Sequence, residues 1–235
     1  MSDFDNIDVT ILAGGLGTRL RKVVSEKPKA LADINGRPFI CYLLGQLGLA
    51  GASSVTLCTG YMGEGIEARL GTRYGRVSIF YSQEPEPLGT GGALRYAAQK
   101  LSNDWILAIN GDSFLDANLA EYASWHREKD ILASMIVVPV KDVSRYGSVK
   151  LGCGGKVLAF REKISKVNVS GYVNAGIYLI HKSVIQGLDF KQPCSLEHEL
   201  LPAQVEIGLY GFVSKGRFID IGTEESYRDA QAFFR

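Results

Sequence analysis

The sequence 7-IDVTILAGGLGTRL-20 places an apolar run directly before a loop of small residues and glycines. The run predicts a buried strand over 7–13, since short apolar runs bounded by glycine are typical of strands. Glycines let the backbone approach a ligand closely and turn successive N–H groups inward, which suits a phosphate. Arg19 and, further along, Lys29 add positive charge beside the loop. The stretch therefore predicts a strand that ends at a phosphate-binding loop.

Two familiar phosphate-binding motifs do not match this loop. A P-loop requires G-x-x-x-x-G-K-[ST], a string that the chain lacks. The dinucleotide fingerprint requires a third glycine at the position where the chain has Leu20. A tight turn flanked by solvated cations is the alternative interpretation. The concentration of cations close to the glycines argues against it; they are Arg19, Lys22, Lys27 and Lys29.

Strand-like and helical segments alternate through the first half of the chain, which predicts an α/β fold. Further strands are predicted over 54–59, 77–81, 105–110 and 131–140; one helix is predicted to start at Pro38, and others over 64–70, 91–101 and 119–129. We expect a Rossmann-like mixed, mainly parallel sheet flanked by helices.

The pattern changes after residue 141. It predicts a hairpin over 149–160, a strand over 176–180, a helix over 196–204, a strand over 218–221 and a helix over 224–234. Because no linker rich in proline, serine or charge interrupts the chain, we expect one domain over 1–235. Its first half, about 1–140, carries the sheet, and its second half, about 141–235, forms a small lobe over the open end.

Composition narrows the class of protein. A net charge of +1 argues against a general nucleic-acid or membrane surface. No apolar run approaches the roughly 20 residues that span a bilayer, and the acidic start over 1–5 does not resemble a secretory signal. We therefore expect a cytoplasmic protein. The cysteines are scattered without zinc spacing, which favours reduced, buried thiols; they are Cys41, Cys58, Cys153 and Cys194.

The chemistry is expected at the carboxyl ends of the strands, where ligands bind in open α/β sheets. Three notable segments fall there: the Gly14 loop, Asn110-Gly111-Asp112, and 88–92. Asp112 can ligate Mg²⁺, which prefers oxygen and takes one or two carboxylates from protein, although such a tripeptide is equally compatible with a simple turn. Asp220, on the late strand, can be a second ligand or a cap for the helix that follows Thr223.

A charged run over 160–163 follows another predicted strand. Lys163 can place a charge on a phosphate and Glu162 can accept from sugar hydroxyls, while a solvated charge run is the ordinary interpretation. The three histidines, His126, His181 and His198, lie in unrelated contexts. No Ser/His/Asp or Cys/His arrangement indicates covalent catalysis.

Taken together, these motifs resemble the sugar-phosphate nucleotidyltransferase family. The matches are collinear from 7 to about 227 and consist of 12–20 with Pro28-Lys29, 86–93, 110–112, 145–147, 162–163, 173–176 and 220–223. The resemblance implies a nucleotidyltransferase fold, with a nucleotide-binding first half and a sugar-phosphate-binding second half.

The resemblance also implies roles for individual residues. Nucleotide contacts are expected from Leu12, Ala13, Gly14, Gly15, Gly17, Thr18, Arg19, Gln83, Leu88, Gly89, Thr90, Gly91, Asn110 and Gly111. Sugar-phosphate contacts are expected from Tyr146, Gly147, Glu162, Lys163, Asn174 and Ala175. Arg19, Lys29 and Asp112 are the expected catalytic residues, and Asp112 and Asp220 the expected Mg²⁺ ligands.

Within the family, the segment 15–25 looks closest to guanylyltransferases that activate D-glycero-D-manno-heptose 1-phosphate. GTP and that sugar phosphate are then the expected substrates, with no nucleic-acid or membrane partner; a homodimer is left open. Mannose 1-phosphate guanylyltransferases and glucose 1-phosphate thymidylyl-, cytidylyl- or uridylyltransferases are the alternatives. A non-catalytic nucleotide-sugar sensor is an alternative of another class, although it would be expected to lose Arg19, Lys163 or a metal acid.

Overall fold

A computed structural model describes residues 4, 6–15, 28–60, 63–144, 147–161, 169–187 and 193–235. Within these ranges the strands are β1 (Ile7–Leu12), β2 (Asp33–Ile34), β3 (Arg37–Pro38), β4 (Ser54–Thr59), β5 (Arg73–Tyr74), β6 (Val77–Gln83), β7 (Trp105–Asn110), β8 (Ser113–Leu115), β9 (Ala133–Val140), β10 (Ser148–Leu151), β11 (Val157–Arg161), β12 (Gly171–His181), β13 (Leu209–Val213) and β14 (Phe218–Asp220).

Helices cover both faces of the sheet that these strands build. They are α1 (Ile40–Leu49), α2 (Gly63–Leu70), α3 (Gly89–Ala98), α4 (Leu119–Glu128), α5 (Lys182–Gln186), α6 (Leu201–Ile207) and α7 (Glu224–Phe233). Short 3-10 turns lie at Lys29–Leu31 and Cys153–Gly155, and a π-helical turn at Leu196–Leu200 leads into α6. None of the helices in the described ranges combines the length and apolar character that a bilayer crossing requires.

One mixed sheet of ten strands forms the centre of the molecule, in the order β11-β10-β12-β7-β1-β4-β6-β5, with β9 beside β12 and β13 beside β9. The strands β7, β1, β4 and β6 are parallel, whereas β12 runs antiparallel to β7. The predicted mixed α/β sheet flanked by helices is confirmed. Strands of the second half continue this sheet from β7 onward, so the predicted lobe is built on the same sheet as the first half.

Burial explains why these segments form strands and helices. Six successive residues of β9, from Ala133 to Val138, are buried, as expected for a strand covered on both faces. One face of α1 is buried as well, through Ile40, Leu43, Leu44 and Leu47. Pro38 does not start this helix, as the sequence suggested; it pairs with Asp33 in the β2–β3 hairpin, and the helix begins at Ile40.

Helix α7 packs against the start of α1 through aromatic rings. Phe234 stacks on Tyr42 with ring centroids 3.9 Å apart and meets the edge of Phe114 at 4.9 Å. The same helix hydrogen-bonds the β2–β3 hairpin, where the Gln231 carbonyl accepts from the Asn35 amide at 2.9 Å. The C-terminal helix thereby holds the β2–β3 hairpin and the start of α1, which follow Lys29 in the chain.

The cysteines are free thiols, and three of the four are buried. The expectation of buried thiols is wrong for Cys153, which is exposed in a 3-10 turn between β10 and β11.

Candidate active site

The carboxyl ends of β1, β4 and β7 meet at one edge of the sheet. The N–H of Ala13 donates to the Cys58 carbonyl at 2.9 Å, and the N–H of Gly111 donates to the Leu12 carbonyl at 2.9 Å. These two hydrogen bonds bring the start of the glycine loop next to the Asn110-Gly111-Asp112 segment, as the sequence predicted.

Gly14 is enclosed by protein atoms, whereas Gly15 is open. A Cβ on Gly14 would lie 2.7 Å from Glu84 Oε1 and 2.8 Å from the Gly60 nitrogen, so no larger residue fits without a shift. A Cβ on Gly15 would have no neighbour within 4 Å among the residues that the structure describes. The side of the loop that faces away from the protein is therefore the part that a ligand can approach.

Glu84 connects the glycine loop to the segment before α3, and sequence reasoning missed it. Its Oε2 accepts from the Leu88 N–H at 2.9 Å, while Oε1 lies under Gly14. Burial raises the pKa of this carboxyl, and the Leu88 hydrogen bond partly opposes that shift. The sequence signal that was available is an acid five residues before the start of a glycine-rich helix.

Several predicted site residues lie outside the described residues. They are Gly17, Thr18, Arg19, Tyr146, Glu162 and Lys163. Gly147 is described, and a Cβ on it would lie 3.2 Å from the carbonyl of Arg161, the residue before Glu162. Roles for these residues stay predictions.

Lys29 and Asp112 form an ion pair at the carboxyl end of β7. The Lys29 side chain is 16% exposed and that of Asp112 39% exposed, so the pair borders solvent. The Ser113 hydroxyl donates to Asp112 Oδ1 at 3.1 Å and fixes the orientation of the carboxylate. The structure thus brings together two of the three residues predicted to be catalytic.

The antiparallel pairing of β14 with β8 places Asp220 next to the Lys29–Asp112 ion pair. Asp220 lies opposite Ser113, and the N–H of Ile221 donates to the Asp112 carbonyl at 2.9 Å. The residue that caps α7 is Thr223, although Asp220 Oδ1 also accepts from Ser226 Oγ in that helix at 3.3 Å. Asp220 therefore stabilises the start of α7 and stands on the strand next to Asp112.

The carboxylates at this edge of the sheet fit Mg²⁺. Among the described residues no group of three or more His, Cys, Asp or Glu side chains is arranged to hold a metal. Mg²⁺ keeps several waters and phosphate oxygens and needs one or two protein carboxylates, which Asp112 and Asp220 can provide.

The 88–92 motif is docked onto the segment before the π-helical turn. The Leu88 carbonyl accepts from the Cys194 N–H at 2.8 Å, and the Cys194 carbonyl accepts from the Gly91 N–H at 2.9 Å. Gly89 has a φ of +74° and faces the Cys194 carbonyl, so a Cβ has no space there. This close approach explains the glycines by packing within the protein; the predicted nucleotide contacts of Leu88, Gly89, Thr90 and Gly91 stay predictions.

A polar network joins the end of β7 to β12. Glu197 Oε1 accepts from Asn110 Nδ2 at 2.9 Å, from the Tyr178 hydroxyl at 2.7 Å and from Asn174 Nδ2 at 3.4 Å. Burial raises the pKa of Tyr178 well above its ordinary value, and the charge of Glu197 adds to the rise, so the phenol stays protonated and donates. The network links a predicted nucleotide contact, Asn110, to a predicted sugar contact, Asn174.

Fold and site together define a class of α/β protein with an ion pair and a second carboxylate at the carboxyl ends of the parallel strands of a mixed sheet. The chain belongs to the nucleotidyl transferase family, whose model matches residues 9–235. The predicted family and enzyme class are confirmed.

Three relatives illustrate the match. The chain is 38% identical over 226 residues to D-glycero-alpha-D-manno-heptose 1-phosphate guanylyltransferase of Aneurinibacillus thermoaerophilus, covering 96% of this chain and 97% of that one. It is 34% identical to mannose-1-phosphate guanylyltransferase of Mycobacterium tuberculosis, of which it spans 62%. The crystal structure of HddC from Yersinia pseudotuberculosis complexed with GMP-PN superposes with a TM-score of 0.85 at 32% identity, covering 97% of this chain and 99% of that one.

Proposed function

We propose that this protein transfers a guanylyl group from GTP to a sugar 1-phosphate, giving a GDP-sugar and pyrophosphate, with D-glycero-α-D-manno-heptose 1-phosphate as the preferred sugar. The observation that carries the proposal is the arrangement of Lys29, Asp112 and Asp220 at the strand ends of a family member. The choice of base and sugar rests on the 38% identity, over nearly the full length of both chains, to a heptose 1-phosphate guanylyltransferase.

In the proposed reaction, a phosphate oxygen of the sugar 1-phosphate forms a bond to the α-phosphorus of GTP. The bond from that phosphorus to its bridging oxygen breaks, and pyrophosphate leaves with the electron pair. A phosphate monoester is already ionised at neutral pH, so no general base is needed. The protein must instead position two anions and balance their charge.

The residues of the cleft suit that task. Lys29 provides positive charge beside Asp112, and the open face of the loop at Gly15 offers backbone N–H groups to the triphosphate. Asp112 and Asp220 would hold Mg²⁺, which neutralises and orients phosphate oxygens when it is bound. Arg19 and Lys163, outside the described residues, are assigned to the triphosphate and the sugar phosphate.

A substrate panel tests the proposal. Purified protein is incubated with each of five nucleoside triphosphates paired with heptose, mannose or glucose 1-phosphate, and pyrophosphate release is measured. We expect GTP with the heptose to give the highest kcat/KM. A preference for mannose 1-phosphate would support the first alternative, and turnover of thymidine triphosphate with glucose 1-phosphate would contradict the guanylyl assignment. Binding without any pyrophosphate release would indicate a sensor.

The acid pair gives a second test. Asp112→Ala is expected to lower kcat about a hundredfold, because it removes a carboxylate that would hold Mg²⁺ and with it positive charge that would stabilise the reacting phosphates. Asp116→Ala is the matched control: this exposed acid lies four residues further on and contacts Arg217 at 3.9 Å. EDTA should abolish turnover and Mg²⁺ should restore it. Metal-independent turnover, or near-normal kinetics for Asp112→Ala, would contradict the assigned roles.

Two further proposals concern the protein in the cell. A cytoplasmic location would give access to GTP, and fractionation with an antibody would test it. A homodimer stays a prediction, which light scattering would test.

A further inference from the structure

Glu197 is the acid that joins the end of β7 to β12. It lies on the π-helical turn Leu196–Leu200. The local sequence Glu197-His198-Glu199 is typical of an exposed helix surface and does not by itself indicate a functional residue. π-helical turns recur at functional sites in proteins. One oxygen of Glu197 accepts from Asn110 at the end of β7, and from Tyr178 and Asn174 on β12.

The hydrogen bonds of Asn174 are almost fully committed within this network. Its Nδ2 donates to the Tyr178 hydroxyl at 2.7 Å and to Glu197 at 3.4 Å, and its Oδ1 accepts from the Gly176 N–H at 2.9 Å. An amide NH₂ has two donors and its oxygen two lone pairs. Counting the described residues, the remaining capacity is one lone pair on Oδ1, so Asn174 is left to meet a ligand as an acceptor.

Two further contacts hold the turn that carries Glu197. The Thr90 hydroxyl accepts from the Leu196 N–H at 2.9 Å, and the Cys194 backbone is paired with Leu88 and Gly91. The start of α3 is thus hydrogen-bonded to the turn whose acid orients Asn110 and Asn174. A charged acceptor that receives several hydrogen bonds fixes its donors more strongly than a neutral one does.

We infer that Glu197 is a positioning residue for the transfer reaction: it holds Asn110 beside the nucleotide and Asn174 beside the sugar in one fixed relation. The inference rests on the proposed function, since it assigns one reactant to each asparagine. Because a small misplacement of reactants costs mainly the rate of the chemical step, loss of Glu197 should lower kcat more than it raises either KM.

Steady-state kinetics of three variants test the inference. Glu197→Ala is expected to lower kcat tenfold to a hundredfold, with each KM changed less than about threefold. A loss of rate of this size is typical when two reactants are misaligned. Glu197→Gln keeps an acceptor oxygen of the same reach and should recover a large part of the rate. Glu199→Gln is the matched control: this exposed acid of the same turn caps the Ser195 N–H at 2.9 Å and should retain the wild-type kcat.

A double-mutant cycle separates positioning from folding. If Glu197 acts through Asn174, the loss in kcat/KM of the Glu197→Ala/Asn174→Ala double variant should be clearly smaller than the product of the single losses. Multiplicative losses, or a Glu197→Ala variant with a lowered Tm and an unchanged kcat, would overturn the inference.

The two proposals fail in different ways. A wild-type protein that releases no pyrophosphate with any substrate pair contradicts the proposed function, and with it this inference. An active wild type with an equally active Glu197→Ala variant contradicts the inference alone.

Discussion

Gly14 and Gly15 are neighbours in the chain with different surroundings. Gly14→Ala places a Cβ against Glu84 and Gly60, an overpacking that we expect to cost about 2 kcal/mol of folding free energy. Gly15→Ala meets no atom within 4 Å in the described part of the chain and should leave the Tm unchanged. Thermal unfolding of both variants checks this expectation.

The same pair of variants tests what the loop binds. If its open face receives the triphosphate, Gly15→Ala should weaken nucleotide binding in calorimetry while the fold stays intact, because a side chain then fills the approach of the ligand. Wild-type affinity in a stable Gly15→Ala variant would contradict the predicted role of this glycine. An equal loss of Tm in both variants would contradict the packing difference.

At the scale of elements, the Thr90 hydroxyl joins α3 to the π-helical turn. Thr90→Val removes the acceptor for the Leu196 N–H and should cost about 1 kcal/mol, the usual loss for a helix cap. Thr90→Ser keeps the hydroxyl and serves as the control. Amide exchange over 194–200 should become faster in Thr90→Val and stay near wild type in Thr90→Ser; equal exchange in both would contradict the coupling.

Elements with a strong local pattern were predictable from the sequence. Strand β7 lies over the predicted residues 105–110, because its apolar run suits a strand that is buried on both faces. The strands β8 and β13 were missed. The first has three residues, and both acquire their role by pairing with distant partners, β14 and β9.

The same limit applies to the site. Gly14 and Asp112 stood at predicted strand ends and could be proposed from local sequence. Glu197 could not, since its partner Asn110 lies 87 positions away and its own surroundings suggested a solvated helix. The predicted helix over 196–204 is also two elements, a π-helical turn and α6, and Pro202 in the first turn of α6 lacks the N–H that a continuous helix would use.

For the molecule as a whole, His126 makes stability depend on pH. Burial, and then the charge of Arg127, lowers the pKa of His126 from 6.5 to about 4. Above pH 6.5 the folded and unfolded states are both neutral at this residue. As the pH falls from 6.5 to 4, the unfolded chain takes up a proton that the folded protein does not, so stability is lost.

This loss should be about 2 kcal/mol between pH 7.5 and 5.0, at about 1.4 kcal/mol for each pKa unit. Urea unfolding at the two pH values measures it. His126→Gln should show a smaller difference between them, whereas His198→Gln, at an exposed position, should match the wild type. Equal pH dependence in His126→Gln and the wild type would show that other groups cause the loss.

The β8–β14 pair joins segments about a hundred residues apart in the chain. Closing a loop of that length costs entropy before any contact compensates for it, so such pairings form late in folding. A folding intermediate can therefore contain the parallel strands and Asp112 while Asp220 is still distant. Metal-dependent turnover would then recover later during refolding than sheet structure does. The return of turnover would therefore mark the completion of the native state.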